Sequence, residues 1–308
     1  MSTKPARNHH FVPQCLLKHF ADESGMLWEY DTELGKTEHK NKRDVAVIRD
    51  FYATGEDGGE IDYETLEGVL QRVESEAAPV IEYLLAHKRQ IAVSSIVKFL
   101  FFVAVQYVRT PALMRRLKAL CEPEAKKQEL LDELSVSLRE SLSRAGVFPE
   151  QIDEMVTKAR EDAGKCMAAK DAVKRAALRQ AETVMDELIK LSWAFLDVPD
   201  GEPGLLLGDH PVLLQDARPD EVPLGPLGLR NPYLQIIVPI SRRMMAIGGY
   251  DVKCSYGNWP GVSDSINDLT LCFANRFIYG SGRSEKTLAR AIRVRLGDFF
   301  CTSDAFVS

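Results

Sequence analysis

The spacing of apolar residues changes along the chain, and its first segment predicts a small mixed α/β unit. The residues GMLWEYDTE alternate between apolar and polar as a β-strand does, and TEHKNKRDVAVI predicts the second arm of a hairpin. The segment HHFVPQCLLKHF begins extended and continues after Pro13 as a short helix. We therefore expect an N-terminal mixed segment over residues 1–62.

Helical spacing dominates the next part of the chain, residues 63–195. One apolar stripe runs from Glu64 to Ala86, and the segment from Ile91 to Val108 is strongly apolar. Lys98 lies at the centre of this second segment and polar residues interrupt it, so a buried helix is expected rather than a membrane span. This part of the sequence predicts a helical region.

Glycine and proline become frequent after Trp193 and predict a β-rich region over residues 196–308. They separate short apolar runs, LLL, VLL, LQIIV, MMAIG and LCFA, that are typical of strands. A helix is expected from Ser265 to Ala274. Together the three regions predict one integrated α+β fold, in which a central helical region packs with the β-rich C-terminal region and the small N-terminal segment.

Composition and charge narrow the class of protein but not its chemistry. The 308 residues carry a net charge of −6, with 45% hydrophobic and 27% charged residues, which excludes disordered and fibrous classes. The acidic balance argues against a protein that coats nucleic acid, but it leaves a local basic groove open. No cysteine pair has CxxC spacing, and MSTKPARNHH lacks the apolar segment of a signal peptide. We expect a cytoplasmic protein with free cysteines.

Histidine and glutamate residues in the first part of the chain are candidates for chemistry. His9 and His10 are adjacent in an extended segment and point to opposite faces, so at most one serves a given site. An imidazole can bind a metal or act as a general base, whereas the alternative is one buried and one exposed histidine. Glu67 and Glu74, seven residues apart on a helix, could hold a divalent cation or form salt bridges at the helix boundary.

Gln106, Arg109 and Asp209 complete the candidate set. Gln106 and Arg109 lie on one face of the most apolar helix, where an arginine needs a carboxylate or a phosphate as partner. An internal arginine–carboxylate bridge and a substrate-binding role both remain open. Asp209 lies in a turn predicted to join two short strands, either as a ligand or base or as the cap of that turn.

Six short segments and one later asparagine follow one another along the chain: His9-His10-Phe11-Val12-Pro13, Trp28-Glu29-Tyr30-Asp31, Phe51-Tyr52, Leu66-Glu67 through Glu74, Gln106 to Pro111, Gly208 to Val212, and Asn267. In this order they resemble the uncharacterised bacterial family known as domain of unknown function 4238 (DUF4238). Gly208 stands where the family usually has serine, and His210 where it has asparagine. The resemblance implies a bacterial cytosolic protein, in some members near defence or mobile-element genes, and polar side chains from distant segments gathered at one site. It implies no reaction.

Two functions are consistent with these residues. The first is a metal-assisted hydrolase of a phosphodiester or nucleotide, nuclease-like and linked to defence, with nucleic acid or a nucleotide as partner. The alternative is a non-catalytic binding or regulatory protein whose polar cluster is structural. A cluster that opens to a solvent pocket would favour the first, and a sealed, hydrogen-bonded cluster the second. In the hydrolase, Mg²⁺ or Mn²⁺ would activate water and be held by His10, Glu67, Glu74 and Asp209, with catalysis by His9, His10, Gln106 and Arg109.

Overall fold

Helices and antiparallel sheets make up the part of the chain that the computed structural model describes. This part comprises residues 8–49, 65–87, 91–111, 148–166, 172–216, 229–250 and 261–284, with shorter pieces within 132–143, at 252 and within 287–292. The helices are α1 (Gln14–Leu17), α2 (Thr65–His87), α3 (Val93–Val108), α4 (Pro149–Cys166), α5 (Ala172–Leu188) and α6 (Val262–Phe273). The strands are β1 (Asn8–His10), β2 (Met26–Asp31), β3 (Lys36–Asn41), β4 (Val47–Arg49), β5 (Ser192–Asp197), β6 (Leu207–Gly208), β7 (Leu213–Asp216), β8 (Leu234–Ser241), β9 (Met244–Gly249) and β10 (Phe277–Gly280).

Strand pairing joins the N-terminal and C-terminal parts of the chain. One sheet has the order β3-β2-β10-β6, so that β2 pairs with β10 from a distant part of the sequence. A second sheet has the order β5-β9-β8-β7, and a third consists of β1 and β4. The mixture of helices with antiparallel sheets confirms the α+β class.

The predicted N-terminal hairpin is present, but its second arm is shorter than expected. Strand β2 pairs with β3 in antiparallel register from Met26–Asn41 to Asp31–Lys36. The chain then turns away, because Ala46 adopts a left-handed backbone conformation with φ of 54° that interrupts an extended strand. The residues after this turn form β4 and pair with β1 instead.

Helix α3 contributes the centre of the core with its second half. It packs against both α2 and α5, and Phe99 makes edge contacts with Trp193 and Phe195 of β5 at centroid distances of 6.3 and 5.5 Å. Its buried residues begin at Phe99, whereas Val93 in the first turn is 78% exposed. In the part of the chain that the structure describes, we find no helix that is both long and apolar enough to cross a membrane.

Other expectations differ from the structure in detail. Strand β5 already begins at Ser192, so β structure starts before the expected boundary at residue 195. The LCFA run is not a strand: its first three residues end α6 and Ala274 is the C-cap, which agrees with the helix expected from Ser265 to Ala274. The boundary at residue 62, the Phe51-Tyr52 motif and residues 112–131 lie outside the described residues. Cys15 is free as expected, but Cys272 is bonded in a disulfide, which corrects the expectation of free thiols for that residue.

Candidate functional site

Arg109 joins three segments that lie far apart in the sequence. It follows the last turn of α3, and its guanidinium donates to Glu74 Oε1 in α2 and to the carbonyl oxygen of His10 in β1. The Arg109 side chain is 5% exposed and that of Glu74 is 24% exposed. Three predicted site residues therefore come together, and Arg109 makes an internal bridge to a carboxylate. We call His10, Glu74 and Arg109 the Arg109 cluster.

The imidazole of His10 is held in one neutral tautomer by its two partners. The Gln14 side-chain amide lies 2.8 Å from Nε2, and Nδ1 lies 3.2 Å from the carbonyl oxygen of Val45. The carbonyl can only accept, so Nδ1 carries the proton and Nε2 accepts from the Gln14 amide. Burial lowers the pKa of His10, and the Arg109 charge acts in the same direction. His10 can bind a metal through Nε2 only if Gln14 first moves away.

Cys15 lies beside this cluster but is a poor nucleophile. Burial, with a smaller contribution from the Glu74 carboxylate, raises the pKa of its thiol to about 12. A thiol with this pKa stays protonated at neutral pH, and only the thiolate attacks readily. Cys15 therefore adds no covalent chemistry to the Arg109 cluster.

His9 and Gln106 are both sealed from solvent. His9 is 2% exposed on β1, where it pairs with Ile48 of β4. Gln106 is 1% exposed, and neither atom of its amide has a hydrogen-bond partner among the described residues. A buried amide without partners costs about 1–3 kcal/mol for each unpaired group. In its buried position Gln106 cannot reach a ligand in solvent.

Asp209 closes the junction between α6 and β10 rather than facing an open site. The side chain is 2% exposed, and its carboxylate accepts hydrogen bonds from the backbone N–H groups of residues 275–277 at 2.7, 2.8 and 3.1 Å. The turn that carries Asp209 connects β6 and β7, which belong to different sheets, so it is not a simple connection between neighbouring strands. The aspartate therefore caps a distant segment, whereas the sequence predicted either a ligand or base or a cap of its own turn.

The neighbouring residue, His210, links this turn to α3. Its ring lies 6.1 Å from that of Tyr107 and 5.6 Å from that of Phe273, measured between centroids. The turn thus lies close to the C-terminal end of α3, as convergence of the predicted residues requires. The carboxylate of Asp209 nevertheless bonds to a different part of the chain from the Arg109 cluster.

The described members of the predicted metal set do not form a cation site with their present partners. His10 Nε2 is occupied by Gln14, Glu74 by Arg109 and Asp209 by backbone N–H groups. Among the described residues there is no group of three His, Cys, Asp or Glu residues that could hold a metal ion. Glu67 lies on α2, but its side chain is outside the described residues. The divalent metal therefore stays a prediction.

A cavity of about 540 Å³ lies elsewhere, beside α6. One side is α6 itself, another is the segment that follows β10, and Tyr30 with the residues before β6 completes the lining. None of the predicted site residues contributes to it. The lining residues are Tyr30, Pro203, Gly204, Leu205, Leu206, Asp264, Asn267, Asp268, Leu271, Gly280, Ser281, Gly282, Arg283, Ser284, Thr287 and Arg290.

Side-chain hydrogen bonds hold the walls of this cavity in place. Asn267 accepts from the backbone N–H of Leu206 at 2.7 Å and donates to the carbonyl oxygen of Gly204 at 3.1 Å. The Tyr30 hydroxyl donates to the carbonyl oxygen of Gly282 and accepts from the N–H of Ser284. Asn267 is the later asparagine of the family resemblance, and its observed role is to position the strand edge of the cavity.

Sequence reasoning missed this cavity, although part of its signal is visible. Four residues have the spacing of one helix face, namely Asp264, Asn267, Asp268 and Leu271. The last three fall within the helix expected from Ser265 to Ala274. The second wall comes from residues 280–284 with Thr287 and Arg290, and nothing in the sequence shows that these residues lie against α6.

Comparisons with known proteins agree with the motifs that the sequence carries. Neither the curated proteins nor the solved structures include a significant match to this chain. The model of the family described as "Protein of unknown function (DUF4238)" matches residues 8–284. Because this match covers most of the 308 residues, the chain belongs to the DUF4238 family.

Proposed function

We propose that this chain is a non-catalytic binding protein that takes a small polar ligand into the cavity beside α6. The observation that carries the proposal is the division of polar groups between two places. Three of the four predicted catalytic residues, His9, Gln106 and Arg109, are buried, and His10 is half-buried with both ring nitrogens near partners. The cavity, by contrast, has space and charged residues in its lining. In this proposal the Arg109 cluster stabilises the fold, and the cavity performs the function.

The bonds of Arg109 support a structural role for its cluster. A guanidinium that binds substrate needs donors directed toward solvent or toward an open pocket. Arg109 is 5% exposed and directs donors at Glu74 and at the His10 carbonyl oxygen. Such an arrangement fastens α2, α3 and β1 to one another.

The size and lining of the cavity support a binding role. Pockets for small molecules have volumes of roughly 300–1,000 Å³ and combine an apolar lining with a few well-placed polar groups. The cavity of about 540 Å³ falls in this range. Leu205, Leu206 and Leu271 supply apolar surface, and Asp264 and Arg283 supply charge.

A variant with a large side chain in the cavity lining tests the proposal. Gly282 belongs to the lining, and a Cβ atom placed on it meets no heavy atom within 4 Å, so a large side chain at this position meets no obstacle close to the backbone. We expect thermal-shift measurements to find a stabilising compound in a panel of amino acids, AMP, glucose 6-phosphate and spermidine. Calorimetry should show that Gly282→Trp abolishes binding while its melting temperature stays close to that of the unsubstituted protein.

The matched control is Gly282→Ala, which adds only a methyl group and should bind as the unsubstituted protein does. Binding that Gly282→Trp leaves unchanged would place the ligand elsewhere and contradict the proposal. So would a panel in which no compound raises the melting temperature.

A further inference from the structure

We infer that the ligand of this cavity is a small zwitterion with an apolar side chain, such as an apolar amino acid or dipeptide. Its ammonium group would lie on the α6 side, at Asp264 and Asp268, and its carboxylate at Arg283. This inference rests on the proposed binding function and adds the chemical class of the ligand.

The α6 side of the cavity is acidic. Asp264 and Asp268 are four residues apart on one helix face, and both line the cavity. Arg290 donates to Asp268 Oδ2, but Oδ1 has no partner among the described residues. An ammonium group is the ligand group that would complete this carboxylate after a rotation of its side chain.

The effect of the surroundings on Asp268 agrees with a cation at this place. Burial raises the pKa of Asp268, and the charge of Asp264 raises it as well, whereas Arg290 lowers it. Two carboxylates on one helix face repel each other, so Arg290 alone does not fully compensate them. A second cation would favour the ionised form of both.

The segment after β10 gives the cavity its positive side. Arg283 lines the cavity, and its guanidinium carbon lies 5.8 Å from the centroid of the Trp28 ring. Such a cation–π contact orients the plane of the guanidinium. A planar guanidinium matches the two oxygens of a carboxylate with two parallel hydrogen bonds.

The presence of both signs in one cavity favours a ligand that carries both. An anion without a positive group would be repelled by Asp264 and Asp268, and a cation without a negative group by Arg283 and Arg290. A zwitterion places each charge against its opposite. Pro203, Leu206 and Leu271 also line the cavity, and their apolar surface suits an aliphatic or aromatic side chain.

Titration calorimetry with L-leucine, L-methionine, L-phenylalanine and the dipeptide leucyl-leucine tests the inference. Matched probes are N-acetyl-L-leucine, which lacks the cation, and L-leucinamide, which lacks the carboxylate. We expect at least one zwitterion to bind and each corresponding singly charged derivative to bind at least about tenfold more weakly. The affinity for the zwitterion should fall by about tenfold or more in Arg283→Gln and in the double variant Asp264→Asn/Asp268→Asn. The exposed Arg43→Gln, away from the cavity lining, should have no effect.

The results separate the inference from the proposed function. If a singly charged derivative binds as tightly as its zwitterion, or if neither charge substitution weakens binding, the inference is wrong. If no zwitterion binds but AMP, glucose 6-phosphate or spermidine does, and Gly282→Trp blocks that binding, the inference is wrong while the proposed function stands. If none of these compounds binds, both are wrong.

Discussion

Replacement of Arg109 by alanine should destabilise the fold strongly, because it leaves buried polar groups without partners. Removing one partner of a buried ion pair costs about 3–5 kcal/mol. Glu74 is 24% exposed, so water can partly solvate the remaining carboxylate, and we expect a value near the lower end, about 3 kcal/mol. At roughly 2–4 °C for each kcal/mol, the melting temperature should fall by about 6–12 °C.

The companion variants separate charge from geometry. Arg109→Lys keeps the charge but loses the planar fork that reaches both Glu74 and the His10 carbonyl oxygen, so its cost should be about half that of alanine. In Arg109→Ala/Glu74→Gln the stranded carboxylate is gone, and the double variant should lose less than the sum of the single changes. Urea unfolding followed by circular dichroism measures five proteins: the unsubstituted protein, Arg109→Ala, Arg109→Lys, Glu74→Gln and the double variant. A cost below about 1 kcal/mol for Arg109→Ala, the size of an exposed ion pair, would refute the structural role.

Three further predictions concern packing, pH and metal. Gly248→Ala should lower the free energy of unfolding by about 1–3 kcal/mol in urea, because the added Cβ would lie 2.6 Å from the Trp193 ring. The matched Gly68→Ala has open space on helix α2 and should raise the free energy of unfolding by about 0.5–1 kcal/mol. Equal effects of the two substitutions would contradict this packing. Burial lowers the pKa of His210, so the unfolded chain takes up a proton at higher pH than the folded protein does, and the free energy of unfolding should fall as pH drops below about 6.5. His210→Asn should show a weaker fall of this free energy between pH 6.5 and 5. If both proteins lose stability equally over this range, the ring of His210 is not buried in its neutral form. Because Glu74 and Asp209 already have partners, adding Mn²⁺ should leave the melting temperature unchanged. If Mn²⁺ raises the melting temperature of the unsubstituted protein but not that of Glu67→Gln, the metal-dependent hydrolase is favoured instead.

The family and the α+β class follow from the sequence because both depend on local patterns. The alternation in MLWEYD and the helical stripe of α2 express the periods of a strand and a helix, and these periods appear without knowledge of any partner. The need of a buried arginine for a carboxylate is likewise a property of the residue and its helix. The sequence therefore predicted that Arg109 needs a carboxylate or phosphate partner, but it included Glu74 at the site as a metal ligand and not as that partner.

Only the tertiary structure decided which partner each polar group takes. The guanidinium of Arg109 can pair equally well with a phosphate or with a carboxylate. It pairs with Glu74 because α2 packs against α3 and brings this carboxylate within reach. Asp209 bonds to residues more than 60 positions away, and the cavity forms where α6 meets the segment after β10. Sequence periodicity shows on which face of a helix or strand a side chain lies. Which distant part of the chain packs against that face depends on how the whole chain folds.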